Sequence, residues 1–180
     1  MALELDARCW FGQIMAIKAI ETSYGGCRFR SRLEARWAVF FDTLHIEWQY
    51  EPQGFATPYG LYLPDFWLSV YQYWVEIKGE LPTQEEYNKL AYVKEHTIGS
   101  KAFIFAGDIP RNHDNIDLLD AWNACIECGR VDIVRAGWKT YLGCGHNYDL
   151  NLREDIEASP VIQLAYNKAR SARFEHGESG

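Results

Sequence analysis

The stretch Leu63–Glu80, LPDFWLSVYQYWVEIKGE, constrains the fold more than any other part of this chain. It gathers aromatic and aliphatic residues into two short runs, one opened by Asp65 and one covering 73–77, with Ser69 to Gln72 between them as a turn. Runs this short, apolar and rich in Trp, Tyr and Val read as strands, so the stretch predicts a hairpin. Side chains alternate along a strand, which puts Glu76 and Lys78 on one face, while Val75, Ile77 and the Trp74–Val75 region pack elsewhere. If the strands pair as a hairpin, Asp65 faces Glu76 across the ladder. Two carboxylates and an ammonium on one patch suit a hard divalent cation next to an anionic substrate.

The flanking segments read as alternating helices and strands. A helix is expected over 32–44, with Leu33, Trp37, Phe40, Phe41 and Leu44 on one face. Ser31-x-x-Glu34 fits a capping box, in which Glu34 reaches back to the Ser31 amide. Glu34 also borders the apolar stripe, close to where the helix meets the sheet. Upstream, 15–27 predicts a short strand or turn of helix and then a loop at Gly25-Gly26. Downstream, IEWQY at 46–50 predicts a strand, and Pro52, Gly54, Pro58 and Gly60 predict a loop. Tyr50 and Glu51 would sit at the cleft or on ordinary surface. After the hairpin, Pro82 breaks the chain, Thr83 begins a helix over 84–95, and KAFIFA at 101–106 is a compact strand. The result is an α/β fold, with αβββαβ order and helices flanking a mixed sheet.

Glu34, Pro64-Asp65 and Glu76-Ile77-Lys78, in the order helix, strand, P-D, strand, E-x-K-G, helix, resemble the PD-(D/E)xK nuclease superfamily. That family includes restriction endonucleases, Holliday-junction resolvases and phage exonucleases, and the resemblance covers residues 28 to 107. It implies a restriction-endonuclease-like core and hydrolysis of DNA phosphodiester bonds with Mg²⁺ or Mn²⁺. By the same resemblance, Asp65, Glu76 and the Ile77 carbonyl hold the metal, Glu34 is an accessory ligand, and Lys78 orients the attacking water. Gln84 and Tyr87 stand three apart, a departure from the Gln and Tyr four apart that some exonuclease-like relatives carry on this helix. The alternatives are a non-catalytic nucleic-acid-binding module, or a nuclease acting on RNA or only on branched DNA. The bland reading of the motif is that Asp65 caps a turn and that Glu76 and Lys78 form a solvated strand face.

A net charge of −7 argues against a protein that coats nucleic acid by bulk electrostatics. Arg28, Arg30, Arg32 and Arg36 nevertheless crowd beside Glu34, as a phosphate-contacting patch or a solvated helix start. The expected partner is DNA, with a homodimer as one option and no membrane. No apolar run reaches the length of a membrane-spanning helix, and the first twenty residues lack a signal-peptide layout. The expectation is a cytoplasmic protein whose five cysteines are thiols or metal ligands.

Residues 15–110 are expected to form the core, and 111–180 a small Cys-rich appendage with a helix packed on that core. Cys125-x-x-Cys128-Gly and Cys144-Gly-His146, separated by strands at 131–136 and 138–142, approximate a zinc ribbon. On that reading Cys125, Cys128, Cys144 and His146 hold a structural Zn²⁺. On the other reading the thiols are simply reduced, with Cys125 ending a helix over 118–125 that packs through Trp122. Cys9 and Cys27 have no partner at useful spacing. Ser159 as cap and Pro160 at the first position launch a last helix through Arg173, with Val161, Leu164, Ala165 and Lys168 spaced to pack. Arg170 and Arg173 would add phosphate contacts or favour the helix C-terminus.

Overall fold

The computed structural model describes residues 19–110, 120–124, 128–135 and 160–174. Strands β1 (Thr22–Tyr24) and β2 (Cys27–Phe29) pair antiparallel around Gly25-Gly26. Both glycines have positive φ, +56° and +79°, which lets a two-residue turn follow the strand twist without a Cβ clash. The expected loop is thus only this turn, and the chain beyond the glycines continues as a strand. Helix α1 (Arg32–Thr43) follows, and the Ser31 hydroxyl accepts its Glu34 amide. Strand β3 is only Gln49–Tyr50, shorter than the expected 46–50. The reason is that Ile46 closes the end of α1, its amide bonded to the Phe41 carbonyl at 2.9 Å.

Strands β4 (Phe55–Thr57) and β5 (Gly60–Tyr62) form a second hairpin in place of the expected loop. Three-residue strands interrupted by Pro58 and Gly60 are too short to show a period-two pattern. The expected central hairpin then appears as β6 (Phe66–Leu68) and β7 (Tyr73–Lys78), with Ser69 to Gln72 as the turn. Helix α2 (Gln84–His96) starts at a Thr83–Glu86 capping box, and β8 (Lys101–Ala106) ends at Gly107. Strands β9 (Asp120–Ala124) and β10 (Val131–Arg135) and helix α3 (Pro160–Ser171) complete the described elements.

The chain is therefore mixed α/β, with a four-stranded sheet in the order β3-β6-β7-β8. The β3–β6 and β6–β7 pairs are antiparallel and β7–β8 is parallel. A parallel pair cannot be joined by a tight turn, and α2 supplies the crossover. The two sheet faces bury separate sets of side chains. Tyr73, Val75, Ile77, Phe66 and Leu68 join Trp37, Phe40 and Phe41 of α1 in the larger cluster. Trp74 joins Leu90 and Val93 of α2, backed by Phe55, Tyr62 and Trp67. Helix α1 is buried on more than the predicted stripe, because Ala35, Ala38 and Val39 are covered as well. Its far side meets α3, where Phe40 stacks on Tyr166 at 4.7 Å between ring centroids.

Two expectations in the C-terminal third are corrected. Residues 120–124 form a strand rather than part of a helix over 118–125: Trp122 and Ala124 are both buried, a period of two, and Trp122 pairs with Ile133. The buried face of α3 is Ile162, Ala165, Tyr166 and Ala169, whereas Val161 and Leu164 are exposed. The packed stripe is thus rotated from the expected one, because Tyr166, the largest of these side chains, settles against α1. Trp122, Ala124, Val131 and Ile133 share the cluster of Phe40 and Phe41, so this part of the chain contributes to the main core. Among the described residues no helix is long and apolar enough to cross a membrane.

Candidate functional site

The β6–β7 register sets up the site. Phe66 pairs with Val75, so Asp65, one residue before β6, stands opposite Glu76. Cross-strand neighbours point to the same side of a sheet. Alternation from Trp74 then places Glu76 and Lys78 on the α2 side; the two share one face as expected, but Trp74 shares it with them instead of packing elsewhere, because residues two apart on a strand point the same way. Asp65 and Glu76 are 2% and 3% exposed, and Glu34 is 7% exposed. Burial of this kind excludes a solvated strand face for Glu76.

Each carboxylate has a distinct set of partners. Asp65 Oδ2 accepts the Ile77 amide at 2.7 Å, and its Oδ1 accepts Arg30 Nη2 at 2.7 Å. Arg30 Nε also pairs with Glu51 Oε1 at 2.7 Å. Glu76 Oε1 pairs with Lys78 Nζ at 2.8 Å, while its Oε2 is buried without a hydrogen-bond partner among the described residues. The Tyr62 hydroxyl, buried on the same face, makes no hydrogen bond of good geometry there, but burial and the nearby Glu76 carboxylate hold its pKa well above the usual phenol range. Glu34 Oε2 accepts the Tyr50 hydroxyl at 2.5 Å and the Arg30 amide at 3.1 Å, and its Oε1 accepts the Ser31 hydroxyl at 2.7 Å. The capping carboxylate therefore reaches the Arg30 amide rather than the expected Ser31 amide. That extra residue of reach ties α1 to the end of β2.

Charge follows from these contacts. Burial, then the neighbouring Glu76 carboxylate, push the Asp65 carboxyl up to about 8, against the opposing Ile77 amide bond. Burial works against the charge on Lys78, but the Glu76 and Glu86 carboxylates outweigh it and hold the ammonium above its ordinary pKa. Lys78 is thus a fixed cation at neutral pH and not a base. Sequence reasoning misses Glu86, whose Oε1 lies 2.9 Å from Lys78 Nζ. Its Oε2 accepts the Thr83 amide at 2.8 Å. The Thr83 amide, followed by Lys78, lowers the Glu86 carboxyl to about 2. One capping residue thereby joins the start of α2 to the end of β7. The T-x-x-E pattern is the signal that could have found it.

An open cleft of about 600 Å³ lies over this patch, walled by Phe55, Leu61 and Tyr62 on one side and Glu86 and Lys89 on the other. Arg30, Glu76 and Lys78 line it, whereas Asp65 lies beneath Arg30 and Glu34 lies behind it on α1. Lys89 pairs with Glu85 at 2.7 Å. Gln84 bonds to Asn88 and Tyr87 is exposed, and neither lines the cleft.

The four N-terminal arginines do not act as one patch. Arg30 belongs to the carboxylate cluster, Arg28 is exposed and pairs with Glu21, and Arg32 and Arg36 line a different cleft. Among the described residues no group of three His, Cys, Asp or Glu side chains converges in a metal-holding arrangement; Arg30 bridges Asp65 to Glu51, and Lys78 bridges Glu76 to Glu86. Cys125, Cys144 and His146 of the expected zinc set lie outside the described residues, and Cys128 is exposed. Comparisons with protein-family models, curated proteins and solved structures return no match.

Proposed function

We propose that this protein is a metal-dependent nuclease of PD-(D/E)xK type that hydrolyses DNA phosphodiester bonds in the cleft between the β4–β5 hairpin and α2. The observation that carries this reading is the juxtaposition of Asp65, Glu76 and Lys78. Two buried carboxylates face each other across the β6–β7 pair, and a fixed cation stands one alternation further along, at the cleft. The succession α1, β3, β6, β7, α2, β8 supports a restriction-endonuclease-like core, since it follows the αβββαβ order of that family.

The donor set fits a hard divalent cation. All the donors are oxygens, and the buried Glu76 Oε2 makes no hydrogen bond of good geometry with the described residues, which leaves it open to a cation. Asp65 and Glu76 would hold the ion, with the Ile77 carbonyl and Glu34 as the further ligands implied by the motif. A bound Mg²⁺ supplies Lewis-acid stabilisation of phosphate charge and makes a water more acidic. The chain's own residues do the rest. Arg30 is bonded to Asp65 and also lines the cleft, so it is placed to turn from Asp65 to a phosphate. Lys78, held by Glu76 and Glu86, donates to the negative charge that grows on the phosphoryl oxygens and to the attacking water. Phe55, Leu61 and Tyr62 give the opposite wall an apolar surface against which sugar or base can rest.

The deciding experiment incubates the protein with linear, circular, single-stranded and four-way-junction DNA, and with RNA, in Mg²⁺, Mn²⁺ or EDTA. Cleavage of DNA in the metal arms alone is the expected result. Equal cleavage in EDTA, or none in any arm, contradicts the proposal.

A further inference from the structure

Asp65 spends both carboxylate oxygens on the protein, Oδ2 on the Ile77 amide and Oδ1 on Arg30 Nη2, each at 2.7 Å. A cation that binds this carboxylate therefore meets a guanidinium already bonded to it. The backbone of Arg30 is fixed, because its amide donates to Glu34 Oε2 and to the Tyr50 hydroxyl, both at 3.1 Å. Its side chain is more than half exposed and borders the cleft. Beyond Asp65 it reaches Glu51, whose Oε1 lies 2.7 Å from Nε without being aligned for a hydrogen bond. Nε sits on the Cδ–Nε bond about which the guanidinium turns. Rotation there carries Nη2 away from Asp65 and leaves Nε beside Glu51. The backbone of Glu51 is unusual as well. Its φ of +46° lies in the left-handed region that residues with a side chain rarely adopt, and its amide donates to the Asp65 carbonyl at 2.8 Å. Such a conformation persists where the surroundings hold it. Glu51 is thus tied to Asp65 twice, by its backbone and through Arg30.

We propose that Arg30 is a gate on the metal position of Asp65, and that Glu51 is the positioning residue that keeps Arg30 at the cleft once it has given way to a divalent cation. In the empty site, Arg30 supplies the positive charge beside the buried Asp65 carboxylate. The guanidinium is repelled by a divalent cation on the same carboxylate and leaves Oδ1. Glu51 then receives it. Without the Glu51 charge, Asp65 is the one carboxylate paired with Arg30 among the described residues, and its release costs more. The place of the metal rests on the nuclease reading, but the test uses the metal alone and no DNA.

Mn²⁺ binding is measured by titration calorimetry on wild type, Arg30→Gln, Glu51→Gln and the double variant Arg30→Gln/Glu51→Gln. Arg28→Gln removes an exposed arginine outside the cluster and serves as the control for lost charge. Arg30→Gln is expected to bind Mn²⁺ at least about threefold more tightly, and Glu51→Gln at least about threefold more weakly. The double variant is expected to match Arg30→Gln, because Glu51 acts through Arg30. Independent effects that add in the double variant, or an unchanged affinity in Glu51→Gln, would make Glu51 an ordinary nearby charge and overturn its role. Mn²⁺ binding that is no tighter in Arg30→Gln than in Arg28→Gln would remove the gate. Each of these results leaves the nuclease reading in place. No Mn²⁺ binding by the wild type would overturn the gate and the metal site together. The expected pattern in a protein that cleaves nothing would uphold the gate and remove the nuclease reading.

Discussion

On the α1 side of β7, Tyr73, Val75 and Ile77 meet Trp37, Phe41 and Phe105, an aromatic cluster closed to solvent. On the α2 side of the same strand, Trp74 is followed by Glu76 and Lys78, whose neighbours are Asp65, Tyr62 and Glu86. The two faces differ by a single step of alternation, yet one is made of dispersion contacts and the other of buried charge. A six-residue strand can therefore anchor the core on one side and gather buried charge on the other. The comparison makes a sharp claim: substitutions on the α1 side should cost stability, and substitutions on the α2 side should cost function.

The largest effect is expected from Phe66→Ala. Phe66 is fully buried on the α1 side, packed edge-on to Phe41 with centroids 5.3 Å apart. Its truncation should lower unfolding free energy by about 3–5 kcal/mol, read from denaturant midpoints. A loss below about 1 kcal/mol would mean that this face is loosely packed, and the contrast between the faces would fail.

Next in size is the response to metal. With Mg²⁺ at about a hundredfold over its Kd, the wild type should gain about 2.7 kcal/mol. Asp65→Asn should lose most of that gain. In EDTA the same variant tests the sign of the charge burial. A carboxyl raised to about 8 binds its proton more tightly in the folded chain than in the unfolded one, where its value is near 3.8. Its contribution to stability therefore declines as pH rises through that window. Asp65→Asn should remove the decline and be at least as stable as wild type above pH 8, where the wild-type carboxyl is ionised. Melts that show a destabilised variant with the full Mg²⁺ shift would make Asp65 a turn residue, with the metal held elsewhere.

The smallest effect is expected from Glu86→Gln. The side chain keeps an acceptor for the Thr83 amide but no longer balances Lys78, and the pair is partly solvated. Stability should change by no more than about 1 kcal/mol, while cleavage falls several-fold because Lys78 keeps only one of its two carboxylates. A cleavage loss as large as that of a Lys78 variant would place Glu86 among the reacting groups.

Much of this contrast is legible in the amino-acid sequence. Alternation from Asp65 to Lys78 forecasts which side chains share a face, and the runs at 73–77 and 101–106 are β7 and β8. The β4–β5 hairpin is hidden because three-residue strands carry too little pattern to separate from a Pro- and Gly-rich loop. Residues 120–124 mislead for a related reason, since five residues around one Trp fit a helix as readily as a strand until β10 supplies the partner. The roles of Arg30 and Glu86 are hidden differently. Each is a long side chain whose partner lies in another element, Asp65 for Arg30 and Lys78 for Glu86; the T-x-x-E spacing marks Glu86 as a capping residue, but nothing in the spacing points to its contact with Lys78 or to that of Arg30 with Asp65. The arginines at 28–36 look like one patch because sequence proximity conceals the helical rotation that sends Arg32 and Arg36 to the opposite side of α1.

The central claim, that the α2 side of β7 is a phosphodiester-cleaving site, is tested most directly by the cleavage rate of Lys78→Ala in Mg²⁺, compared with wild type on the same DNA. Removing a positioned donor to developing charge should slow cleavage by about 10²–10³-fold. The unfolding midpoint should move little, because Lys78 lies at the rim of the cleft and not in the core. Cleavage by Lys78→Ala at the wild-type rate would contradict the account.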